Sequence, residues 1–449
     1  MSRFLPMVAG AGAASTGSGP RLDISPPDMH RFDTASGQHL LLVNGSRVFT
    51  IGRDVAAQLD AGTDPAALLA SLDLLAPPYI DDEPPPDPPV RALSLAISQA
   101  CNLACAYCYA AGGGFGAAER RMSPEVALAA VDRLFGGVPR GDSVNLAFLG
   151  GEPLVSRDVL RRCTERAAAL AAAGGVHAGF SITTNGTLLT ADDGAFLERH
   201  GFAVTVSIDG SAADHDRLRP FKDGRGSHAR VIERVKPLLA VQRQMQVSAR
   251  VTVTPLNLDL EGTLDGLLAL GFHSVGFSPM LASPTGAGQM AANDLETMLR
   301  QMVACGGAFE RHVMAGERYA FQNMASAMEE IHRGTHRPYP CGAGGGYFGV
   351  SAEGNLYACH RFVEDPAGAM GSVTHGVDRL RQRRWLADRH VHRQEPCRSC
   401  WARYLCGGGC HHEVIARGRP ACDYIRGWLH YCLQAYVRLI EARPDFFSA

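Results

Sequence analysis

The sequence predicts an α/β protein built on a partial (βα)6, TIM-like barrel, and three observations support this fold class. Short apolar runs alternate with helical segments six times between residues 91 and 280. A proline-rich segment separates this region from a smaller N-terminal one, and a cysteine-rich region follows it. Strands are expected at residues 92–98, 144–149, 179–184, 203–208, 247–253 and 274–277. Because βα units in series form a parallel sheet, the functional site is expected at the carboxyl ends of these strands.

Helices are expected between the strands. Ser123 and Thr190 stand before two of them and are predicted N-caps, and Pro124 suits the first turn of its helix. A helical stretch at 295–331 follows the last strand, and a terminal helix is expected near residues 424–440. The helices between the strands are predicted at residues 124–135, 157–173, 191–199, 230–241 and 264–270.

The remaining chain divides by composition. Residues 1–24 are rich in Gly, Ala and Ser and are predicted to be a flexible tail. Asn44-Gly45 lies between two apolar runs, which predicts a hairpin, and two short helices should follow it at 54–59 and 65–72. The predicted order is a tail at 1–24, a small α+β module at 25–76, a Pro-rich linker at 77–90, the partial barrel at 91–280, a helical bridge at 281–334 and the Cys-rich domain at 335–449.

Composition excludes two classes of partner. The chain has 449 residues with 43 Lys and Arg against 45 Asp and Glu, so it lacks the strongly basic field that dominates nucleic-acid binding. No run of apolar residues is long enough to span a membrane. The thirteen cysteines are clustered rather than spread as in small disulfide-linked domains, which favours metal or cluster binding in a reducing, cytoplasmic environment.

The first cysteine group, Cys101, Cys105 and Cys108, directly follows the first predicted strand of the barrel. Its three thiolates should therefore share one loop at the carboxyl end of that strand. A cubane iron–sulfur cluster normally takes four thiolates, so three would leave one iron open for another ligand. A structural zinc loop or three buried thiols is the alternative interpretation.

This spacing, Cys-x3-Cys-x-aromatic-Cys with Tyr107 as the aromatic residue, resembles the signature of the radical S-adenosylmethionine (SAM) superfamily. The resemblance implies a [4Fe-4S] cluster that cleaves SAM to a 5'-deoxyadenosyl radical, which abstracts a hydrogen atom from the substrate. It also implies SAM contacts at the ends of the later strands, where Gly-Gly-Glu-Pro, Thr-Thr-Asn-Gly and Ser-Ile-Asp-Gly stand. The implied contact residues are Gly150, Gly151, Glu152, Asn185, Ser207, Asp209 and Arg250.

The second cysteine group resembles the SPASM extension of radical SAM enzymes that modify peptides, which holds two auxiliary [4Fe-4S] clusters. The resemblance assigns Cys341, Cys359 and Cys410 to the first auxiliary cluster, one ligand short, and Cys397, Cys400, Cys406 and Cys422 to the second. Cys305, Cys432 or an open iron could complete the first, and Cys432 could also exchange roles with Cys422. A four-thiolate zinc site at Cys397, Cys400, Cys406 and Cys410 is the alternative.

Several segments, including Thr335–Gly344 and Trp401–His412, are similar to maturation proteins of quinohemoprotein amine dehydrogenases. This resemblance implies thioether crosslinks between Cys sulfurs and Asp or Glu methylene carbons of a small Cys-rich protein, such as a dehydrogenase small subunit. It implies three [4Fe-4S] clusters, SAM and an electron donor such as flavodoxin or ferredoxin. The N-terminal module resembles domains that bind peptides by adding a strand at a sheet edge.

Other functions stay open. They are formylglycine formation as in sulfatase activation, carbon–carbon crosslinking, and a non-catalytic zinc scaffold. In sulfatase-maturing relatives an Asp follows the cysteine equivalent to Cys359, whereas this chain has His360, so the general base stays unassigned.

Overall fold

The computed structural model describes residues 7–8, 28–74 and 83–447. The predicted tail at 1–24, apart from residues 7–8, and most of the first half of the predicted linker lie outside the described residues. The strands are β1 Met7–Val8, β2 Met29–Thr34, β3 Gly37–Leu42, β4 Arg47–Ile51, β5 Ala92–Gln99, β6 Arg120–Arg121, β7 Ser143–Gly150, β8 His177–Thr184, β9 Ala203–Ser207, β10 Gln246–Val253, β11 Val275–Pro279, β12 Tyr347–Val350, β13 Asn355–Tyr357, β14 Ala369–Ser372 and β15 Gly376–Val377.

Helices connect these strands and form most of the outer layer. They are α1 Arg53–Asp60, α2 Pro65–Ser71, α3 Pro124–Phe135, α4 Arg157–Gly174, α5 Ala191–Arg199, α6 Ala212–Leu218, α7 His228–Val241, α8 Leu260–Ala269, α9 Ala292–Met314, α10 Gln322–Arg333, α11 Arg379–Arg389, α12 Arg403–Cys406, α13 His411–Arg417 and α14 Cys422–Ala442.

The predicted parallel sheet is confirmed. Strands β5, β7, β8, β9, β10 and β11 are neighbours in chain order, and every pair among them is parallel. In β10 the side chains of Val247, Val251 and Val253 are buried against the helices. Ser248, Arg250 and Thr252 point to the other face of the pleat. This second face, with the strands' carboxyl ends, is where a site can form.

Local capping explains where two of the helices begin. The Ser123 hydroxyl accepts a hydrogen bond from Val126 N at 3.3 Å, and Pro124 occupies the first turn of α3. Thr190 and Asp193 form a reciprocal capping box at the start of α5. Both predicted N-caps are therefore confirmed.

The cysteine-rich region is joined to the barrel through the sheet. Strand β12 pairs in parallel with β5, and β13, β14 and β15 extend the sheet by antiparallel pairing. The sheet thus crosses the domain boundary that the sequence predicts at residue 335. This pairing places residues 341–360 beside the strand that leads into the first cysteine loop, which we define as residues 101–108.

The N-terminal module, residues 28–74, forms a four-stranded sheet together with β1 at residues 7–8, in the order β1-β4-β3-β2. The predicted hairpin is formed by β3 and β4, and α1 and α2 close a small apolar core around Leu40, Val55 and Leu69. The module packs on α14 and on the loop that follows Cys400. The His30 ring stacks on Trp401 with centroids 3.8 Å apart, and Gln434 Nε2 donates to Asp33 O at 2.9 Å.

Within the described residues, no helix combines the length and apolar character that crossing a membrane requires.

Candidate active site

The first cysteine loop leaves β5 at Gln99 and brings Cys101, Cys105 and Cys108 together. Cys101 Sγ accepts hydrogen bonds from Leu103 N at 3.5 Å and from Asn185 Nδ2 at 3.7 Å. Burial raises the pKa of Cys105 to about 11, and the neighbouring Cys101 and Cys108 thiols add to this rise. Because burial raises the pKa of both Cys101 and Cys105, these thiols would lose their protons only beside a strong positive charge, such as that of a metal cluster. Hydrogen bonds from N–H groups to sulfur are also typical of cluster ligands.

A tight backbone contact explains why two glycines follow β7. Gly151 N donates to Ser98 O at 2.8 Å, and Glu152 N donates to Ala100 O at 2.9 Å. A Cβ at Gly150 would lie 2.1 Å from Ser98 O, and one at Gly151 would lie 2.4 Å from Ala100 O. Only glycines allow the turn to approach the start of the first cysteine loop this closely.

Glu152 is fully buried, and its carboxylate is completely used by the protein. Its Oε1 accepts from Leu154 N at 3.0 Å and from Thr184 Oγ1 at 2.8 Å, and its Oε2 accepts from Asn185 N at 2.8 Å. Burial raises its pKa, which these hydrogen bonds oppose. The carboxylate ties the end of β8 to the Gly150–Glu152 turn, so any SAM contact from this turn would come from its backbone.

The other predicted SAM contacts lie at the same edge of the sheet. Asn185 follows β8 and also donates to Asn102 Oδ1 at 2.9 Å, while Ser207 is the last residue of β9. Arg250, in β10, donates to the Ser278 hydroxyl of the neighbouring strand, and the charge of Glu413 acts on it. The structure therefore brings these residues together, and their SAM contacts remain a prediction.

Asp209 belongs to a buried network that sequence reasoning missed. Its carboxylate accepts from the Tyr107 hydroxyl and from Thr252 N at 2.9 Å, and Arg219 Nη1 lies 3.8 Å from Asp209 Oδ2. Arg219 Nη1 also donates to the Tyr107 hydroxyl at 2.6 Å. Tyr107, Asp209 and Arg219 are all at most 8% exposed. The carboxylate predicted to contact SAM thus also fixes the aromatic residue of the cysteine motif.

The first auxiliary set, Cys341, Cys359 and Cys410, comes together as predicted. The charges of Cys341 and Cys410 act on Cys359, whose pKa burial raises to about 12. A backbone N–H at Arg361 donates to the Cys359 sulfur, and one at Ala343 donates to Cys341. Two of the three sulfurs thus accept backbone hydrogen bonds, and all three lie close enough for their charges to interact.

The second auxiliary set, Cys397, Cys400, Cys406 and Cys422, also forms one group. Burial raises the pKa of Cys397 to about 11, and the other three thiols contribute to that rise. Backbone N–H groups at Gly408 and Gly409 donate to the Cys406 sulfur. A cavity of about 280 Å³ lies beside β11 and is lined mainly by apolar atoms. All four cysteines of this set, and Cys410, line it.

The two candidates for the fourth ligand of the first auxiliary set, Cys432 and Cys305, both lie on helices. Cys432, on α14, is buried and packs in the main core with Leu429 and Leu433. The charge that acts on it is that of Glu310. Cys305 is equally buried on α9. These positions favour a packing role for both thiols, and the fourth ligand of the first auxiliary set stays a prediction.

The predicted alternative zinc site is not formed. Within residues 28–74 and 83–447, no three His, Cys, Asp or Glu side chains are close enough to share a single metal ion. Both auxiliary sets consist of thiols alone, which is the donor type that iron–sulfur clusters take.

Arg361 lies between the first cysteine loop and the first auxiliary set, and its role was not predicted from the sequence. Its guanidinium lies 5.3 Å from the centre of the Tyr109 ring, directly after the first cysteine loop. It pairs with Glu413 at 2.7 Å, and its Nη1 lies 3.9 Å from Cys410 Sγ. The first cysteine loop and the first auxiliary set thus face one shared interior.

Comparisons with known proteins agree with this geometry. Residues 95–267 match the family model described as the radical SAM superfamily. The chain is 25% identical over 345 residues to the serine-type anaerobic sulfatase-maturating enzyme of Klebsiella aerogenes, covering 75% of this chain and 83% of that protein. It is 28% identical over 158 residues to the cysteine-type enzyme of Clostridium novyi, covering 33% and 41%.

Among solved structures, native anSMEcpe with bound AdoMet is similar with a TM-score of 0.63 at 20% identity, covering 79% of this chain and 99% of that one. This likeness shows the shared fold. The comparisons do not support the specific resemblance to quinohemoprotein amine dehydrogenase maturation proteins; they favour the sulfatase-maturase type. Together with the cysteine loop and the parallel sheet, they show a radical SAM domain at residues 95–267 and an α/β fold shared with this solved structure.

Proposed function

We propose that this protein is a radical SAM enzyme that oxidises a side chain of a peptide or protein substrate. The observation that carries this proposal is the position of Arg361 between Tyr109 and Cys410. It places an auxiliary thiol set across one interior from the first cysteine loop. The radical would take one hydrogen atom together with its electron. The second hydrogen would leave as a proton to a base and an electron, and an auxiliary cluster in this position could accept that electron.

The cofactors follow from the donor sets. Cys101, Cys105 and Cys108 would hold a [4Fe-4S] cluster, and the two auxiliary sets would hold one each, with a reductant of the flavodoxin or ferredoxin class. When bound, the first cluster and SAM would supply the radical that takes hydrogen from the substrate. The protein would orient SAM through the strand ends and exclude water from the interior.

Oxidation of a Ser or Cys residue to formylglycine is the first candidate reaction. Its support is the similarity to proteins named as serine-type and cysteine-type anaerobic sulfatase-maturating enzymes. A solved relative of the same fold also holds a peptide, Cp18Cys, together with AdoMet, with a TM-score of 0.62. A peptide substrate is therefore the class that these likenesses favour.

The residue after Cys359 favours a second candidate, thioether formation between Cys sulfurs and Asp or Glu methylene carbons. The resemblance to sulfatase maturases implies an Asp at this position, where this chain has His360. The Nδ1 atom of His360 lies 2.7 Å from the Tyr347 hydroxyl. Burial, the charge of Arg361 and that of His412 lower its pKa to about 4, so the ring is neutral near pH 7. The departure from the implied Asp counts against formylglycine formation.

We also propose that the N-terminal module takes up substrate by strand addition. The outer edge of β4 already accepts β1 in parallel, with Met7 opposite Thr50 and Val8 opposite Ile51. An edge that pairs with an extended segment of this chain has the geometry to pair with a substrate peptide. Fluorescence anisotropy of a labelled substrate peptide tests this, and unchanged affinity after deletion of residues 1–85 would contradict it.

Mass spectrometry of substrates distinguishes the reactions. The reconstituted enzyme is incubated anaerobically with SAM and a reductant, either with peptides from sulfatases of the same genome or with a small Cys-rich protein encoded beside it. Loss of two hydrogens with every thiol alkylatable and a hydrazide-reactive aldehyde shows formylglycine formation from Ser. A loss of two hydrogens for each thiol that resists alkylation and reduction shows thioethers. Cleavage of SAM without change in any peptide or protein would refute a peptide substrate.

A further inference from the structure

A second chain segment forms the opposite wall of the first cysteine loop. Residues 218–222 run antiparallel to residues 102–106, with a bridge between Leu103 and Phe221. Ala104 N donates to Pro220 O at 2.8 Å, and Lys222 N donates to the Asn102 carbonyl at 3.4 Å. The backbone of this segment therefore holds the loop that carries the three cysteines.

Arg219 points from this segment into the space behind the loop. Its side chain is 9% exposed, contacts Tyr107 and Asp209, and its Nε has no hydrogen-bond partner. Its charge is the strongest one acting on Cys105. Its carbonyl accepts from Ser227 Oγ at 2.6 Å, which in turn contacts His215 at 2.9 Å. The backbone at Arg219 is thus held by Ser227, and its guanidinium is held by Tyr107 and Asp209.

We propose that Arg219 is a positioning residue that raises the reduction potential of the cluster bound by the first cysteine loop, and that Asp209 opposes it. Reduction adds one negative charge to the cluster. A permanent positive charge held in a buried, weakly polarisable place stabilises that added charge, whereas the Asp209 carboxylate destabilises it. Arg219 keeps its proton at any working pH, so its effect is constant.

The test uses the reconstituted full-length protein and four variants. R219Q removes the charge, R219K keeps it, D209N removes the opposing charge, and Y107F removes only the hydroxyl between them. Iron content and circular dichroism report loading and folding. An EPR-monitored potentiometric titration then follows the cluster signal that changes when SAM is added, which separates this cluster from the auxiliary ones.

We expect a lower potential in R219Q, a higher one in D209N, and values near wild type in R219K and Y107F. A wild-type potential in an iron-loaded R219Q protein overturns the proposal, and so does an equal fall in R219K and R219Q, because charge would then not be the cause. If R219Q fails to load iron, D209N decides: a higher potential supports the proposal, and an unchanged one overturns it.

Discussion

Glu152→Gln is the substitution whose consequence the structure defines best. Glu152 is fully buried and accepts three hydrogen bonds, two at Oε1 and one at Oε2. Gln offers one acceptor oxygen, so its NH2 group must replace Oε2 and face the Asn185 N–H. One backbone N–H of the β8 end then loses its partner, and the two remaining bonds lose their ionic character.

An unsatisfied buried N–H costs about 1–3 kcal/mol, and a hydrogen bond to a charged group exceeds a neutral one by about 1 kcal/mol. Burial raises the pKa of Glu152, which shows that its charge is costly to bury, and the neutral Gln recovers part of that cost. The net loss expected is about 2 kcal/mol. For a domain of this size, that lowers the midpoint of thermal unfolding by about 4–8 °C.

Differential scanning fluorimetry under anaerobic conditions measures this shift, with Glu165→Gln as the matched control. Glu165 is exposed on α4, so its substitution should change stability by less than about 0.5 kcal/mol. The same E152Q protein should bind SAM more weakly, because Asn185 and the Gly150–Glu152 turn are no longer tied together. If E152Q unfolds at the wild-type temperature, the carboxylate does not organise the strand ends and this reasoning fails.

Three further predictions follow. Cys432→Ala should leave iron per chain unchanged after reconstitution, whereas Cys410→Ala should lower it; equal loss in both variants would restore Cys432 as a ligand. Gly151→Ala should abolish cluster loading or SAM binding, because its Cβ would lie 2.4 Å from the Ala100 carbonyl oxygen. The control Gly266→Ala, which places a Cβ in open space on α8, should unfold at a temperature no lower than wild type. Isothermal titration with SAM and a thermal melting curve are recorded for both variants. Burial and the charge of His430 lower the pKa of His30 from 6.5 to about 4, so the undocked module binds a proton at a higher pH than the docked module does. Docking of the module should therefore weaken as the pH falls from about 6.5 towards 4, and the fluorescence of Trp401, on which His30 stacks, should report this. The same pH profile in His30→Phe would contradict the prediction.

The barrel could be predicted because its signals are local. The alternation along β10 and the caps at Ser123 and Thr190 are each contained in a few consecutive residues. Strands β12 to β15 have at most four residues, and β12 gains its stability from pairing with β5, roughly half the chain away. A short strand that depends on a distant partner leaves no periodic pattern, so this extension of the sheet was missed.

The candidate site also combines residues marked by local sequence signals with residues whose role depends on distant segments. The spacing of Cys101, Cys105 and Cys108 predicts the first group, and the resemblance to the SPASM extension supplies the thiols of the other two groups. Arg219 was missed because no motif surrounds it in the sequence. Arg361 follows Cys359 by two residues, but the sequence does not show that it contacts Tyr109. The importance of both arginines comes from segments that packing brings beside the cysteines.

The residues around Cys432 form the apolar pattern of a buried helix, which is a local signal for a packing role. The large number of nearby cysteines favoured a ligand role instead. Cys432 lies between Leu429 and Leu433 and four residues before Tyr436, on the apolar stripe of a helix. Cys305 has the same setting, three residues after Met302 and four before Phe309. The cysteines that gather into groups instead stand in loops or at the ends of helices, where backbone N–H groups are free to donate to sulfur. A cysteine on an apolar helical stripe has its neighbours' N–H groups committed to the helix, so it is better placed to pack in a core than to bind a cluster.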